Sequence, residues 1–260
     1  MNIYTYAIID SKERLCDYII GIEGAIVCNI AYRDIGVVVS KLGEQIQNIT
    51  KDHVLKHEEV VEKLMGNFTV LPVRFLTQFS REEDVLLMMQ EFYNDFRENL
   101  DRVRNKIEFG IKIIWAGETI RNRIIDAYKR DNANIAIADS SPAKNFVKEK
   151  FEKYKIDKEF AKEAEKCIAL IVDFFSRFIA EKKLKKLKTD NLLLSASYLV
   201  EKERQEDFKE AFERARRTLS DLKFLLSGPW PPYNFIVLTK KTDMFNGKSI
   251  NQNLASEDVV

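Results

Sequence analysis

Glycine, cysteine and histidine are all scarce in this chain, and each scarcity excludes a class of site. Its 260 residues include 9 glycines, 3 cysteines and 2 histidines. Few glycines are therefore available for the Gly-rich loops that bind phosphate. Neither a Walker loop nor a G-x-S-x-G nucleophile motif occurs. Cys16, Cys28 and Cys167 form no C-x-x-C pair for zinc or redox chemistry. Cys28 lies in an apolar strand and Cys167 on an apolar helix face, so neither is expected to act as a nucleophile.

An excess of charge of one sign and a long apolar run are missing as well. The 42 basic and 41 acidic side chains leave a net charge of +1, whereas nucleic-acid-binding proteins usually show a basic excess. The densest apolar stretch, residues 167–175, is far shorter than the roughly 20 residues that span a bilayer. Residues 1–5 lack the pattern of a signal peptide. We therefore expect a soluble cytoplasmic protein with no nucleic-acid or membrane partner.

What the chain does contain is a globular composition, with 45% apolar and 32% charged residues. Its length favours two domains. Periodicity in the first part follows the order β-α-β-β-α-β, which predicts an N-terminal ferredoxin-like domain over residues 1–78. The predicted strands are residues 3–9, 25–31, 35–39 and 68–75, and the predicted helices are residues 13–19 and 52–65.

The second part of the chain predicts a helix-rich α+β domain over residues 79–238. Its longest predicted helix runs from residue 143 to 188, with a break near residues 156–157. Residues 239–260 are polar without periodicity, which predicts a flexible tail. The other predicted helices are 81–103, 118–129 and 205–219; the strands are 107–115, 192–200, 222–226 and 235–238; residues 131–141 are a loop and residues 227–233 a turn. The predicted fold class is therefore α+β with two domains.

The two histidines are the first candidates for a metal site. His53 and His57 are four residues apart on a predicted helix, so they share a face, with Glu58 or Glu62 nearby. A structural zinc site needs four ligands, and no third histidine or cysteine pair completes the set. Two ordinary helix histidines explain the same pattern. We therefore predict no metal, no cofactor and no catalytic residue.

A more specific segment is Leu-Pro-Val-Arg-Phe at residues 71–75. Leu71, Pro72 and Phe75 are apolar, whereas Arg74 carries a charge between apolar neighbours. A buried guanidinium needs a carboxylate or carbonyl groups to satisfy its donors. Two interpretations are open, because Arg74 either forms a structural ion pair that fixes the strand or contacts a partner protein.

A second specific segment, residues 228–233, holds three of the chain's five prolines. These prolines make the segment stiff, and the glycine before them is free to take a positive φ. Two interpretations are open again: the aromatic residues cap the core of a rigid connection, or they form a preordered edge for a partner. The segment consists of Gly228, Pro229, Trp230, Pro231, Pro232 and Tyr233.

Together these segments resemble motifs of the gas vesicle protein F/L family. The motifs are Leu-Pro-Val-Arg-Phe-x-Thr at residues 71–77 and Ser-Gly-Pro-Trp-Pro-Pro-Tyr-Asn-Phe at residues 227–235. The resemblance extends in order from residue 3 to residue 238. It also includes Tyr-Thr-Tyr-Ala-Ile at residues 4–8, the helix positions His57, Val60 and Leu64, Gly-Ile-Lys at residues 110–112, and Ala-Ser-Tyr-Leu-Val at residues 196–200.

The chain departs from the family pattern at three positions. Leu76 stands where the family usually has glycine, Phe109 where it has tryptophan, and Ser195 where it has asparagine. Leucine disfavours a positive φ, so Leu76 argues against a left-handed backbone at this position. The other two changes are interpreted as tolerated packing changes.

The resemblance implies a non-enzymatic accessory or minor component of gas vesicles, located in the cytoplasm and on the vesicle. It also implies contact with the small hydrophobic shell subunit and with other gas vesicle accessory proteins. A partner that keeps such a subunit from aggregating needs exposed apolar surface among charges. The helices that begin near residues 81 and 143 are candidates for that surface, although ordinary core packing is the favoured explanation of their apolar positions. An RNA-binding protein and an enzyme of unrecognised type are the alternative functions.

Overall fold

A computed structural model describes residues 2–15, 19–131, 142–185, 189 and 191–239. The chain forms two compact units, of which the first comprises residues 1–108 with residues from 229 onward and the second comprises residues 109–228. Cys16, nearly all of the loop predicted at residues 131–141 and all but the first residue of the tail predicted at residues 239–260 lie outside the described residues.

The first unit is built on an antiparallel sheet in which β3 and β1 are central. Its strands are β1 (Asn2–Ile9), β2 (Val27–Tyr32), β3 (Ile35–Leu42), β4 (Val70–Pro72) and β5 (Gln78–Phe79). The strand order is β2-β3-β1-β4, and β5 also pairs with β1. This order is compatible with the predicted ferredoxin-like plan. The helix predicted at residues 13–19 is wrong in its described part, because residues 13–15 and 19 are not helical. A short 3-10 helix forms later, at Ile22–Gly24.

Two α-helices complete the described core of this unit. Helix α1 (Lys51–Met65) begins at Thr50, whose hydroxyl accepts a hydrogen bond from the His53 amide at 3.2 Å. Its buried residues follow the predicted helical spacing and include Val60 and Leu64. Helix α2 (Glu82–Val103) buries Val85, Met88, Met89, Phe92, Phe96, Leu100 and Val103, so most of its apolar side chains belong to the core, whereas Leu87 is exposed.

Among its described residues, the second unit combines a four-stranded antiparallel sheet with three α-helices. The sheet has the order β7-β8-β6-β9. Phe109, Phe175, Tyr198 and Phe208 are fully buried, and their rings lie 4.9–5.6 Å apart between centroids. The elements are β6 (Lys106–Ile114), α3 (Gly117–Asp131), α4 (Pro142–Phe175), β7 (Glu181–Lys185), β8 (Leu192–Glu201), α5 (Gln205–Thr218) and β9 (Lys223–Trp230). The predicted α+β fold class is confirmed.

Helix α4 differs from the prediction in its continuity and its end. It runs unbroken through residues 156–157, where Asp157 accepts a hydrogen bond from Arg121 at 2.7 Å. It ends at Phe175 instead of residue 188, and Glu181–Lys185 pairs with β8 as a strand. Lysine and glutamate favour helix locally, so this strand depends on pairing that is remote in sequence.

The end of the described chain also differs from the prediction. Residues 227–230 extend β9 instead of belonging to the turn predicted at residues 227–233. Tyr233–Phe235 form a 3-10 helix, and residues 236–238 do not form the predicted strand. The compact units do not end at the predicted domain limits, because α2 belongs to the first unit and the chain returns to that unit at residue 229. The limits at residues 78 and 238 stay a prediction about independently folding domains.

Leu76 adopts the left-handed backbone that its side chain argued against, with φ of 68°. Its amide donates a hydrogen bond to the Tyr4 hydroxyl at 3.2 Å, and its side chain packs against the core of the first unit. The expectation from the leucine is therefore wrong. This hydrogen bond and this packing hold a conformation that costs a residue with a Cβ roughly 1–2 kcal/mol.

We expect Leu76→Gly to be more stable to unfolding than Leu76→Ala by about 1 kcal/mol. Both variants lose the leucine side chain, but only glycine removes the left-handed strain, and its greater flexibility when unfolded offsets part of that gain. Urea unfolding of both variants measures the difference. An alanine variant at least as stable as the glycine variant would show that residue 76 is not strained.

Candidate functional site

The first family motif leads out of the edge strand β4. Leu71 and Pro72 are buried there and pair with Ile8 and Ala7 of β1. Proline lacks an amide hydrogen, so its place at an edge avoids a missing bond within the sheet. Phe75 is half-buried and packs against the core of the unit.

Arg74 is exposed, so the expectation of a buried ion pair is wrong. The contacts of this residue come from its backbone carbonyl, which accepts hydrogen bonds from the Thr77 amide at 3.1 Å and the Thr77 hydroxyl at 2.8 Å. The chain leaves β4 just before Arg74 and turns, so this side chain reaches water instead of the core. The other interpretation of Arg74, contact with a partner, stays a proposal.

The second family motif fastens the returning chain to the first unit. The Tyr233 hydroxyl donates to both carboxylate oxygens of Glu58, at 3.1 and 3.2 Å. Asn234 donates through its backbone and side-chain amides to the buried carboxylate of Glu108, at 2.9 and 2.5 Å. Phe235 is fully buried. These contacts support the interpretation of a rigid connection that caps the core.

Hydrogen bonds to the first unit continue beyond Phe235, and only part of the second motif is accessible to solvent. Asn99 of α2 bonds both the amide and the carbonyl of Val237, and Asp95 accepts two bonds from Thr239. Gly228 takes a φ of 107°, as its position before proline allows. Pro231 and Pro232 are buried, Trp230 is half-buried, and Gly228 and Pro229 are exposed.

Both motifs meet α1 at two consecutive residues, His57 and Glu58. The His57 ring stacks on Tyr6 and meets the edge of Phe75, each with 5.6 Å between ring centroids. The Tyr4 hydroxyl lies 2.9 Å from His57 Nδ1. Glu58, the next residue, receives Tyr233 of the second motif. We call Tyr4, Tyr6, His57 and Phe75 the histidine cluster.

Burial keeps the histidine cluster uncharged. It lowers the pKa of His57 from 6.5 to about 4, and a weak interaction with the Val73 backbone opposes the shift. Burial raises the pKa values of Tyr4 and Tyr6 above their usual value of 10.0. It also raises the pKa of Glu58, where the hydrogen bond from Tyr233 acts in the opposite direction. A neutral imidazole among neutral phenols is a packing arrangement.

The two histidines have separate partners and do not converge on a common point. His53 Nε2 lies 2.6 Å from a carboxylate oxygen of Glu23, whereas His57 is held by Tyr4. Among the described residues, no group of three or more His, Cys, Asp or Glu side chains is placed to hold a metal ion. The prediction that the protein binds no metal stays a prediction.

The described cysteines are half-buried, Cys28 on β2 and Cys167 on α4. Burial raises the pKa of both thiols, which disfavours the reactive thiolate. Within the part of the chain that the structure describes, no helix has the length and apolar character to cross a bilayer.

Comparison with known proteins decides the family. The family model described as gas vesicle synthesis protein GvpL/GvpF matches residues 2–237. The chain belongs to the GvpL/GvpF family. It is 25% identical over 240 residues to gas vesicle protein F1 of Halobacterium salinarum, a match that covers 90% of this chain and 92% of that relative. It is also 25% identical over 252 residues to gas vesicle protein F of Haloferax mediterranei, covering 95% and 99% of the two chains.

Solved structures of GvpL/GvpF proteins share the fold. The crystal structure of GvpF from Anabaena matches with a TM-score of 0.79 at 18% identity, covering 92% of this chain and 99% of that one. GvpF from Microcystis aeruginosa matches with a TM-score of 0.76 at 19% identity, covering 91% and 99%. The resemblance that the motifs indicated is confirmed.

Reasoning from the sequence identified both motifs but missed the side chains on which they meet. Tyr4, Tyr6 and Glu58 carry the contacts, and of these only Glu58 was considered, as a neighbour of a possible metal site. The opening Tyr-Thr-Tyr and the helix position His57 were part of the resemblance, so a signal for the histidine cluster was present in the sequence.

Proposed function

We propose that this protein is an accessory or minor component of gas vesicles that binds the hydrophobic shell subunit, supports vesicle assembly and catalyses no reaction. The observation that carries this proposal is the family match over residues 2–237. Its place is the cytoplasm and the vesicle, and other gas vesicle accessory proteins are further proposed partners.

The physical basis of the role is the apolar face of the shell subunit. An unassembled subunit with such a face tends to aggregate, and a partner that covers the face removes this hazard. Of the two candidate helices, α2 keeps one large apolar side chain strongly exposed, Leu87, whereas α4 keeps several. Among the motif residues, Trp230 and Arg74 keep accessible surface, and we include them as secondary contacts.

Deletion of the gene tests the role in the host. We expect the deletion strain to lack gas vesicles, because free shell subunits then aggregate instead of reaching the growing wall. Electron microscopy counts the vesicles, and a plasmid copy of the wild-type gene should restore them. A deletion strain with a normal number of vesicles would contradict the proposed role in assembly.

A further inference from the structure

Helix α4 carries a row of exposed apolar side chains in its N-terminal half. Val147, Phe151 and Tyr154 are 66%, 55% and 61% exposed. They recur at positions i, i+4 and i+7, so they lie within roughly 60° of one another around the helix axis. We call these three residues the α4 stripe. Large apolar side chains at such exposure contribute little to the core of the second unit.

The side of α4 that packs within its own unit is a different one. Phe160 lies 5.2 Å from the ring of Trp115 and 4.4 Å from the guanidinium carbon of Arg121. At about 100° per residue, Phe160 projects roughly 140° away from Val147. The packing of α3 and α4 therefore leaves the α4 stripe on the outer surface of the helix.

Lysines border the α4 stripe on both sides. The five lysines at positions 144, 148, 150, 155 and 158 are exposed and lie within roughly 100° of the stripe centre, and we call them the lysine rim. Glu149 and Glu152 project to the opposite side of the helix. Asp157, roughly 90° from the stripe centre, is paired with Arg121 at 2.7 Å. Lys155 approaches the ring of Phe151, with 5.2 Å from its ammonium nitrogen to the ring centroid.

We propose that the α4 stripe is the docking surface for the shell subunit, which receives it in an apolar groove bordered by carboxylates. The inference rests on the proposed function and adds the surface and the chemistry of the partner. Apolar anchors at i, i+4 and i+7 are the pattern by which a helix enters a groove. The lysine rim requires negative charge opposite it, since an uncompensated positive border weakens association.

Two other occupants fit the stripe less well. A second copy of this chain would place one lysine rim against another. Contact between like charges weakens the free energy of association by roughly several kcal/mol. Binding of a helix to a lipid surface scales with the apolar area that it buries, and this stripe offers only three side chains over two turns.

Capture of the shell subunit by the tagged full-length protein tests the inference. We expect the combined substitution Val147→Ser, Phe151→Ser and Tyr154→Ser to reduce capture at least tenfold, because buried anchors dominate interface energies. The matched control is Leu170→Ser, which changes a side chain that is 60% exposed elsewhere on the same helix, and its capture should equal wild type. Trp230→Ala should weaken capture less than the triple substitution. Thermal unfolding checks that each variant is folded.

Charge reversal provides a second, independent variant. Lys148→Glu combined with Lys155→Glu should reduce capture at low salt at least fivefold, while wild-type capture should fall as salt rises because the rim is screened. Both lysines are exposed, so folding should be unaffected.

Each outcome separates the inference from the proposed function. If wild type captures the subunit and the triple variant captures it equally, the α4 inference fails and the proposed function survives. If wild type captures nothing, the proposed function fails and the inference with it. Stripe-dependent dimers in sedimentation, or stripe-dependent binding to phosphatidylglycerol vesicles without capture of the subunit, would overturn the inference in favour of a second copy or a lipid surface.

Discussion

Replacing Phe235 with alanine should lower the free energy of unfolding by about 3–5 kcal/mol, the usual range for a fully buried phenylalanine. This side chain is 0% exposed and follows directly after the two residues that Glu58 and Glu108 bind. Its removal leaves a cavity beneath the returning chain and weakens the attachment of that segment to the first unit. Chemical denaturation measures the change.

The neighbouring Val237 supplies the control. Its side chain is 53% exposed and its backbone is held by Asn99, so Val237→Ala should change stability by no more than about 0.5 kcal/mol. Equal stability of the Phe235 and Val237 variants would show that the second family motif does not fasten the first unit, and its role as a partner edge would then become the better interpretation.

Acidification should destabilise the protein through His57. Its folded pKa of about 4 lies below the usual 6.5, so the unfolded chain binds this proton more readily. The stabilising contribution is complete above pH 6.5 and decreases as the pH falls toward 4. With about 1.4 kcal/mol per pKa unit, lowering the pH from 7.5 to 5 should remove about 2 kcal/mol through this residue.

Comparison of wild type with His57→Gln isolates that contribution. The variant should lose about 2 kcal/mol less than wild type between pH 7.5 and pH 5. A second measurement does not depend on the variant folding: the chain has two histidines, so His53→Gln leaves a single imidazole NMR signal. That signal should not titrate above pH 5, and a midpoint near 6.5 would show that His57 is not buried.

Local sequence patterns predicted those helices and strands that pack an apolar face against the core of their own unit. The buried face of α1 follows a helical spacing of apolar residues, and β1 and β3 are nearly continuous apolar runs that are buried almost throughout. Strand β7 was not predicted, because its Glu-Lys-Lys-Leu-Lys sequence favours helix and its pairing with β8 lies outside the local window. Leu76 was also unpredictable from local preference, since the hydrogen bond to Tyr4 that holds it comes from β1.

In the candidate site, too, local features were predictable from the sequence and contacts between remote residues were not. Both motifs stood out by their rigid prolines and their aromatic residues, and this required no structure. Their meeting at His57 and Glu58 joins residues that are 175 positions apart in the case of Tyr233 and Glu58, which no spacing rule connects. The exposure of Arg74 depended on where the chain leaves β4, a boundary that sequence patterns fix only to within about 2–4 residues.

Light scattering during dilution of the shell subunit out of denaturant tests the central claim most directly. If this protein covers the apolar face of the subunit, an equimolar amount should suppress the rise in scattering, and the triple substitution in the α4 stripe should suppress it far less. Scattering that rises as fast with this protein as with an unrelated protein of similar size and charge would contradict the claim that it binds the shell subunit.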